Sequence, residues 1–232
     1  GTIQAKLLVA RYTAVVVEGI EVKESPAWLK ERLAAVGVNS INNIVDIANY
    51  AMLDVGQPLH AFDFDSIQGN RMIIRESRES EEIVALDGST LKLPRGAIVI
   101  DDKKRIIDLA GIKGGRASGI TQRTKNIVLQ AANFDNQTIY NTKKKLQYTS
   151  QAADIYSYGL DPSMTLDGIE RALALMEQLG LKGKIVQVID IYTRRKKPTP
   201  IALTIEHIQG ILGISIPKKT VRNILEGIEC KV

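Results

Sequence analysis

Between Arg71 and Phe134 the chain breaks into short runs dense in β-branched residues: RMIIRE, IVALDG, TLKLP, AIVI, RIIDLAGI and NIVLQAANF. Such runs are shorter than an ordinary helix and are separated by turn-forming residues, the pattern of a sheet built from hairpins. Asp87-Gly88 and Asp101-Asp102 sit where hairpins would turn, the former more strongly because glycine accepts positive φ without a steric penalty. Upstream, Tyr12 to Val22 reads as a strand. Ser25 as cap, Pro26 in the first position and Gly37 as stop predict a helix over about 26–36. Ser40 is placed to cap a second helix carrying Ile41, Ile44, Val45, Ile47, Ala48 and Met52 and ending by Gly56. Downstream, helical patterns cover 135–147 and run from Asp161, with Pro162 in the first turn, to Leu179 before Gly180; residues 184–192 read as a returning strand. The expected fold class is α+β, a mixed or antiparallel sheet with flanking helices.

Pro198-Thr199-Pro200 after a basic run marks a boundary, since two prolines remove backbone donors and stiffen the chain. The expected domains are 1–197 and 198–232. The second reads as the start of a small helical domain, with a short strand and helices over 206–212 and 218–228, too few residues for an ordinary independent core. The chain opens on Gly1 and stops at Val232 just after a helical pattern, as an internal segment of something longer would.

With 44% hydrophobic residues over 232 positions the first domain can bury a sizeable core. No apolar run approaches the roughly 18 to 20 residues that span a bilayer, so no membrane partner is expected. A lone Cys230 excludes an internal disulfide, and His60 and His207 alone make no zinc-ligand cluster, so no metal is expected. The net charge of +5 suits a polyanionic partner. The runs Lys143-Lys144-Lys145 and Arg194-Arg195-Lys196-Lys197 are not interleaved with aromatics, which leaves phosphate contact or a solvated face rather than a base-stacking platform.

The densest polar constellation runs from Asn42 to Asp63, NNIVDIANYAMLDVGQPLHAFD. Pro58 restricts Gln57 to extended backbone, so the helix ends before it and His60 falls on a loop or strand edge. A neutral imidazole there both donates and accepts, and can orient water or a carbonyl or merely satisfy its own surroundings. The segment Gly111-Ile112-Lys113-Gly114-Gly115 has neither dinucleotide-fingerprint nor P-loop spacing, and reads as a close backbone approach or a tight turn.

This constellation resembles the NNxVDxxNY and GQPxHAFD signature of the phenylalanyl-tRNA synthetase β subunit. The resemblance continues at Leu86-Asp87-Gly88, at Leu109 to Gly115, at the strand containing Gln130 and at Gly159-Leu160-Asp161-Pro162, in order over about 8–192. The tail from Ile201 resembles the start of the next β-subunit domain, a helical, nucleic-acid-binding type of fold. The resemblance implies a module that hydrolyses tyrosyl-tRNA(Phe) formed in error. The logic is selection by presence: a second site that bonds the phenol hydroxyl picks out the wrong product by the group it adds. On that resemblance His60 and Asn49 position ester and water, Ala110, Gly111, Gly114 and Gly115 line the cleft, Gln130 faces the side-chain hydroxyl, and Ser150 and Ala152 leave room for the amino acid. It also implies tRNA(Phe) and an α subunit as partners in a heterotetramer, no cofactor in this segment, ATP and magnesium in the α subunit, and a cytoplasmic location. Two departures stand out. Gln130 occupies the position of a family glutamate, and Ile155 and Tyr158 stand where the family has arginines. An editing-silent, tRNA-contacting module of the same subunit, or a free-standing RNA-binding protein, would carry the same motifs.

Overall fold

The computed structural model describes residues 2–193, 195 and 199–232. In chain order its strands are β1 (Thr2–Ile3), β2 (Val9–Glu18), β3 (Leu59–Asp63), β4 (Ile73–Glu76), β5 (Glu82–Val84), β6 (Thr90–Lys92), β7 (Ile98–Asp101), β8 (Ile106–Leu109), β9 (Lys113–Gly114), β10 (Ile127–Phe134) and β11 (Lys184–Tyr192). Its helices are α1 (Ala27–Ala35), α2 (Asn43–Val55), α3 (Asn136–Leu146), α4 (Gln151–Tyr158), α5 (Met164–Gln178), α6 (Ile205–Leu212) and α7 (Lys218–Gly227). The content is α+β, as expected. The chain separates into two units, Gly1–Arg195 and Lys196–Val232.

In the first unit an antiparallel sheet runs β11-β2-β10-β3 and a second sheet runs β1-β4-β7-β8-β9; β5 and β6 form a separate hairpin turned at Asp87-Gly88. Strand alternation divides the first sheet's side chains between two cores. Val15, Val17, Ala61, Ile127, Leu129 and Ala131 pack against Leu29 and Leu33 of α1, Ile44 and Ile47 of α2 and Ile169 and Leu175 of α5. Tyr12, Ala14, Val16, Phe62, Val128, Ala132 and Phe134 face a core shared with Ile74, Ile98, Ile100, Ile107 and Leu109 of the second sheet and with Ile139, Ala153 and Tyr156 of α3 and α4.

Several local expectations need correction. The cap of α2 is Asn42, not Ser40: its side-chain oxygen accepts from the amides of Ile44 (3.1 Å) and Val45 (3.0 Å). Ser40 instead donates to the carboxylate of Asp46, which also accepts from Ser25 Oγ (2.5 Å) and the Ile41 amide (2.8 Å). The long helix starts at Met164 without a side-chain cap, and Asp161 bonds Ser163 in the preceding turn. Helix α4, over a stretch read only as motif residues, is capped by Ser150. The first strand ends at Glu18 rather than Val22.

In the second unit α6 and α7 form, and residues 201–204 make no strand, contrary to expectation. Among its described residues none is buried, and Ile211, Ile214, Ile224 and Ile228 remain exposed. Of the basic run before the prolines only Arg195 is among the described residues. Among the described residues no helix is long and apolar enough to cross a membrane.

The NNxVD run is thus a latch. Asn43 accepts from the Lys23 amide and donates to the Glu21 carbonyl, and the buried Asp46 collects three donors from the chain leading to α2. Asp46→Ala strands two hydroxyls and an amide, and is expected to lower unfolding free energy by about 3 kcal/mol in urea denaturation. An unchanged midpoint would contradict the latch.

Candidate functional site

Every residue of β10 is buried, and alternation points Gln130 to the same side as Val128, Ala132 and Phe134, towards the second sheet. Opposite Gln130 in the antiparallel register stands His60 of β3, the edge strand of its sheet. The His60 ring packs edge-on against Phe62 with centroids 4.4 Å apart. It also lies over Gly114 of β9, the edge strand of the other sheet: a Cβ there would sit 2.7 Å from His60 Cε1 and 2.9 Å from Leu86 Cδ1. Gly114 therefore cannot gain a side chain without displacing the imidazole. In register with Gly114 on β8 is Asp108. Gly111, at φ +71°, allows Tyr156 to close the other side, since a Cβ would meet Tyr156 Cδ2 at 2.9 Å.

Where these sheet edges meet there is a cavity of about 80 Å³ lined by Pro58, Leu59, His60, Asp108, Gly111, Ile112, Lys113, Gly114, Gln130, Phe134, Ala152 and Tyr156. A single water needs roughly 10 to 15 Å³, so the space admits a polar group and not merely one solvent molecule. Two buried side-chain atoms on its wall, His60 Nε2 and Gln130 Oε1, have no hydrogen-bond partner, and Gln57 Oε1 beside Pro58 is a third. Native interiors rarely leave such atoms unmatched. A larger cleft of about 840 Å³ runs past Glu21, Lys23, Trp28 and Leu179, but no unpartnered buried side-chain atom lines it, which makes it the poorer candidate for a specific ligand.

Burial sets the protonation states. His60 is partly exposed as a residue but its Nε2 is buried, and burial lowers its pKa to about 4, leaving the ring neutral near pH 7. Burial pushes the Asp108 carboxyl well above the usual carboxylate range, and the Tyr156 phenol upward as well; that phenol donates to the Pro58 carbonyl (3.3 Å). At the rim, burial opposes the charge of Lys113, but Asp87 (2.6 Å) and the Tyr148 ring (4.3 Å) more than offset this and raise its pKa.

Of the residues singled out from sequence, the cavity brings together His60, Gln130, Gly111, Gly114 and Ala152. Asn49 lies on α2 and does not line it; nor do Ala110, Gly115 or Ser150. Ala110 is in the core, the Gly115 amide is held by the Ile107 carbonyl (3.0 Å), and Ser150 joins α4 to the glycine segment by donating to the Ile112 carbonyl (3.2 Å). Tyr158, at one of the arginine positions, is 89% exposed. Asp108 and Tyr156 carry no role in the sequence reading; the one available signal for Asp108 was an acid inside the apolar run RIIDLAGI. Among the described residues no group of three or more His, Cys, Asp or Glu could hold a metal ion.

The B3/4 domain family model matches residues 8–180. The phenylalanine–tRNA ligase β subunit of Moorella thermoacetica is 37% identical over 230 residues, 99% of this chain and 29% of that protein, and that of Dehalococcoides mccartyi strain CBDB1 is 40% identical over 206 residues, 89% and 26%. The chain thus spans under a third of the length of these curated relatives. A solved N-terminal fragment of the phenylalanyl-tRNA synthetase β-subunit from Pyrococcus horikoshii shares the fold, with a TM-score of 0.52 and 14% identity over 98% of this chain and 64% of that one.

Because the neutral imidazole is favoured by the fold, its contribution to stability is intact above pH 6.5 and is lost as pH falls towards about 4. In an NMR titration the His60 ring signals are expected to stay flat from pH 8 to 5 and to move near 4. A midpoint of 6 or above would contradict the burial of Nε2.

Proposed function

We infer the function from the premise that this chain belongs to the B3/4 domain family, in the form carried by phenylalanine–tRNA ligase β subunits. The domain is a hydrolase module of that ligase: it cleaves the ester of tyrosyl-tRNA(Phe), releasing tyrosine and free tRNA. The observation that carries this reading is the cavity between the sheet edges, closed by Gly114 and His60 and lined by the unpartnered His60 Nε2 and Gln130 Oε1 of the first sheet. Apolar walls with a few convergent unpaired groups suit an aromatic side chain that carries one hydroxyl. A substrate lacking that hydroxyl leaves the groups unpaired, and that penalty is what separates wrong product from right.

Water attacks the ester carbonyl, the ribose oxygen leaves, and the proton lost by water ends on that oxygen. His60 is a weak proton acceptor at a pKa of about 4, far below the operating pH that favours general bases. Its role is to orient: the neutral ring holds water or the ester near the mouth, and the gain comes from positioning. Ligation itself, with ATP and magnesium, is assigned to the α subunit, and tRNA(Phe) in the cytoplasm is the partner that presents the ester. A second reading rests on Gln130, neutral where the family carries a glutamate: the module contacts tRNA but no longer edits.

Single-turnover hydrolysis of tyrosyl-tRNA(Phe) by the complete αβ enzyme separates the two. Wild type is expected to clear the ester well above its spontaneous rate and His60→Ala to slow clearance about 100-fold, the size typical of lost positioning. Clearance no faster than spontaneous loss, with restoration by Gln130→Glu, would establish the second reading instead.

A further inference from the structure

One buried carboxyl on the cavity wall takes no part in the hydrolysis step. Asp108 is 4% exposed, lines the same cavity as Gln130 and His60, and its carboxyl makes no hydrogen bond or ion pair among the described residues. It stands beside Gly114, over which the His60 ring lies, and His60 in turn faces Gln130 across the β3–β10 ladder. An unpaired carboxyl in such a place is a cost to the fold, since buried charges are otherwise paired or neutralised. The other acids in the interior are bonded: Asp46 collects three donors, Asp102 accepts from the amides of Gln68, Lys104 and Arg105, and Asp101 bonds Arg75 through Oδ2 while its Oδ1 has no partner. Of these acids Asp108 alone, at the cavity, has neither oxygen bonded to any of the described residues.

We propose that Asp108 is the specificity-determining residue of this site, its carboxyl and the Gln130 amide together bracketing the hydroxyl of the tyrosyl side chain. This deepens the editing reading and rests on it. A hydroxyl donates one hydrogen bond and accepts others. The Gln130 amide offers both a donor and an acceptor; the Asp108 carboxyl offers an acceptor when ionised and a donor as well when protonated. In either protonation state the pair therefore supplies one of each. The acid that the family places on the strand of Gln130 is, in this chain, supplied from β8 on the facing sheet. The neutral Gln130 is then no sign of a silent site, because the carboxyl has changed strands rather than vanished. A phenylalanyl group would leave both polar groups buried and unmatched.

The test compares wild type and Asp108→Asn in the complete αβ enzyme, with hydrolysis of tyrosyl- and phenylalanyl-tRNA(Phe) read as kcat/KM. Binding of the non-hydrolysable 3′-tyrosylamino- and 3′-phenylalanylamino-adenosines is measured beside it; the difference between the two proteins reports this cavity, since any other site is common to both. The substitution is expected to cut the tyrosyl-over-phenylalanyl preference about 10- to 100-fold in both readouts, while the melting temperature of the chain is unchanged or higher because a buried unpaired acid has become a neutral amide. Equal weakening of both ligands would overturn the proposal and assign the carboxyl to the α-ammonium that they share. An unaltered preference, or a lowered melting temperature with both ligands lost, would overturn it in favour of a structural role. If wild type hydrolyses neither ester, the editing reading fails, and the analogue preference still decides whether Asp108 reads the hydroxyl.

Discussion

The strand β10 is buried along its whole length, and the architecture of the first unit follows from how its two faces are covered. One face needs α1, α2 and α5; the other needs the second sheet with α3 and α4. Pairing with β2 on one side and, over residues 127–131, with β3 on the other meets most of its backbone groups, and Gln57 donates to the Ala132 carbonyl beyond the end of β3, since a buried amide or carbonyl without a partner costs about 1 to 3 kcal/mol. In such surroundings a glutamine is an expensive residue unless something meets it. Among the described residues nothing bonds the Oε1 of Gln130, and the strand opposite contributes His60 with an unmatched nitrogen of its own. The cavity exists because two sheet edges, β3 and β9, approach there without pairing, and glycine at 114 sets how close they come.

Those open groups connect stability to chemistry. Asp46 shows what the fold does with a buried acid it uses for itself: three donors converge on it and anchor the entry to α2. Asp108 has no comparable set, and His60 is driven to its neutral form by the same burial. A site held in this state is preorganised, since its polar groups have few alternatives until a ligand arrives, and the binding of that ligand recovers what the fold gave up.

Much of this was legible in the residues themselves. The β-branched runs, Asp87-Gly88 and the spacing of Pro58 from His60 act locally, so the hairpin, the end of α2 and the strand-edge position of His60 could be read directly. Gln130 was legible through the family resemblance, as the residue standing where a glutamate is expected. Ser40 and Asn42 are equally good caps by type, and the choice between them is made by Asp46, which claims the Ser40 hydroxyl. Helix α4 is short and lacks a clear apolar stripe, and its place is decided by packing of Ala153 and Tyr156 into the shared core. Asn49 belongs to the same motif as His60, yet the motif is contiguous only in sequence: the turn at Gly56 separates helix from strand, and the cavity takes only the strand side. Asp108 was hidden for the converse reason, because what makes it notable is the meeting of β8 with residues of another sheet.

The central claim is that the aminoacyl side chain enters the cavity between the sheet edges. A crystal structure of the complete αβ enzyme with 3′-tyrosylamino-adenosine tests it most directly. The account predicts the phenol between β8 and β10, its hydroxyl within about 3.2 Å of both the Asp108 carboxyl and the Gln130 amide, with the amide that replaces the ester next to His60. An analogue bound in the cleft beside Trp28 and Leu179, with the cavity holding only water, would contradict it.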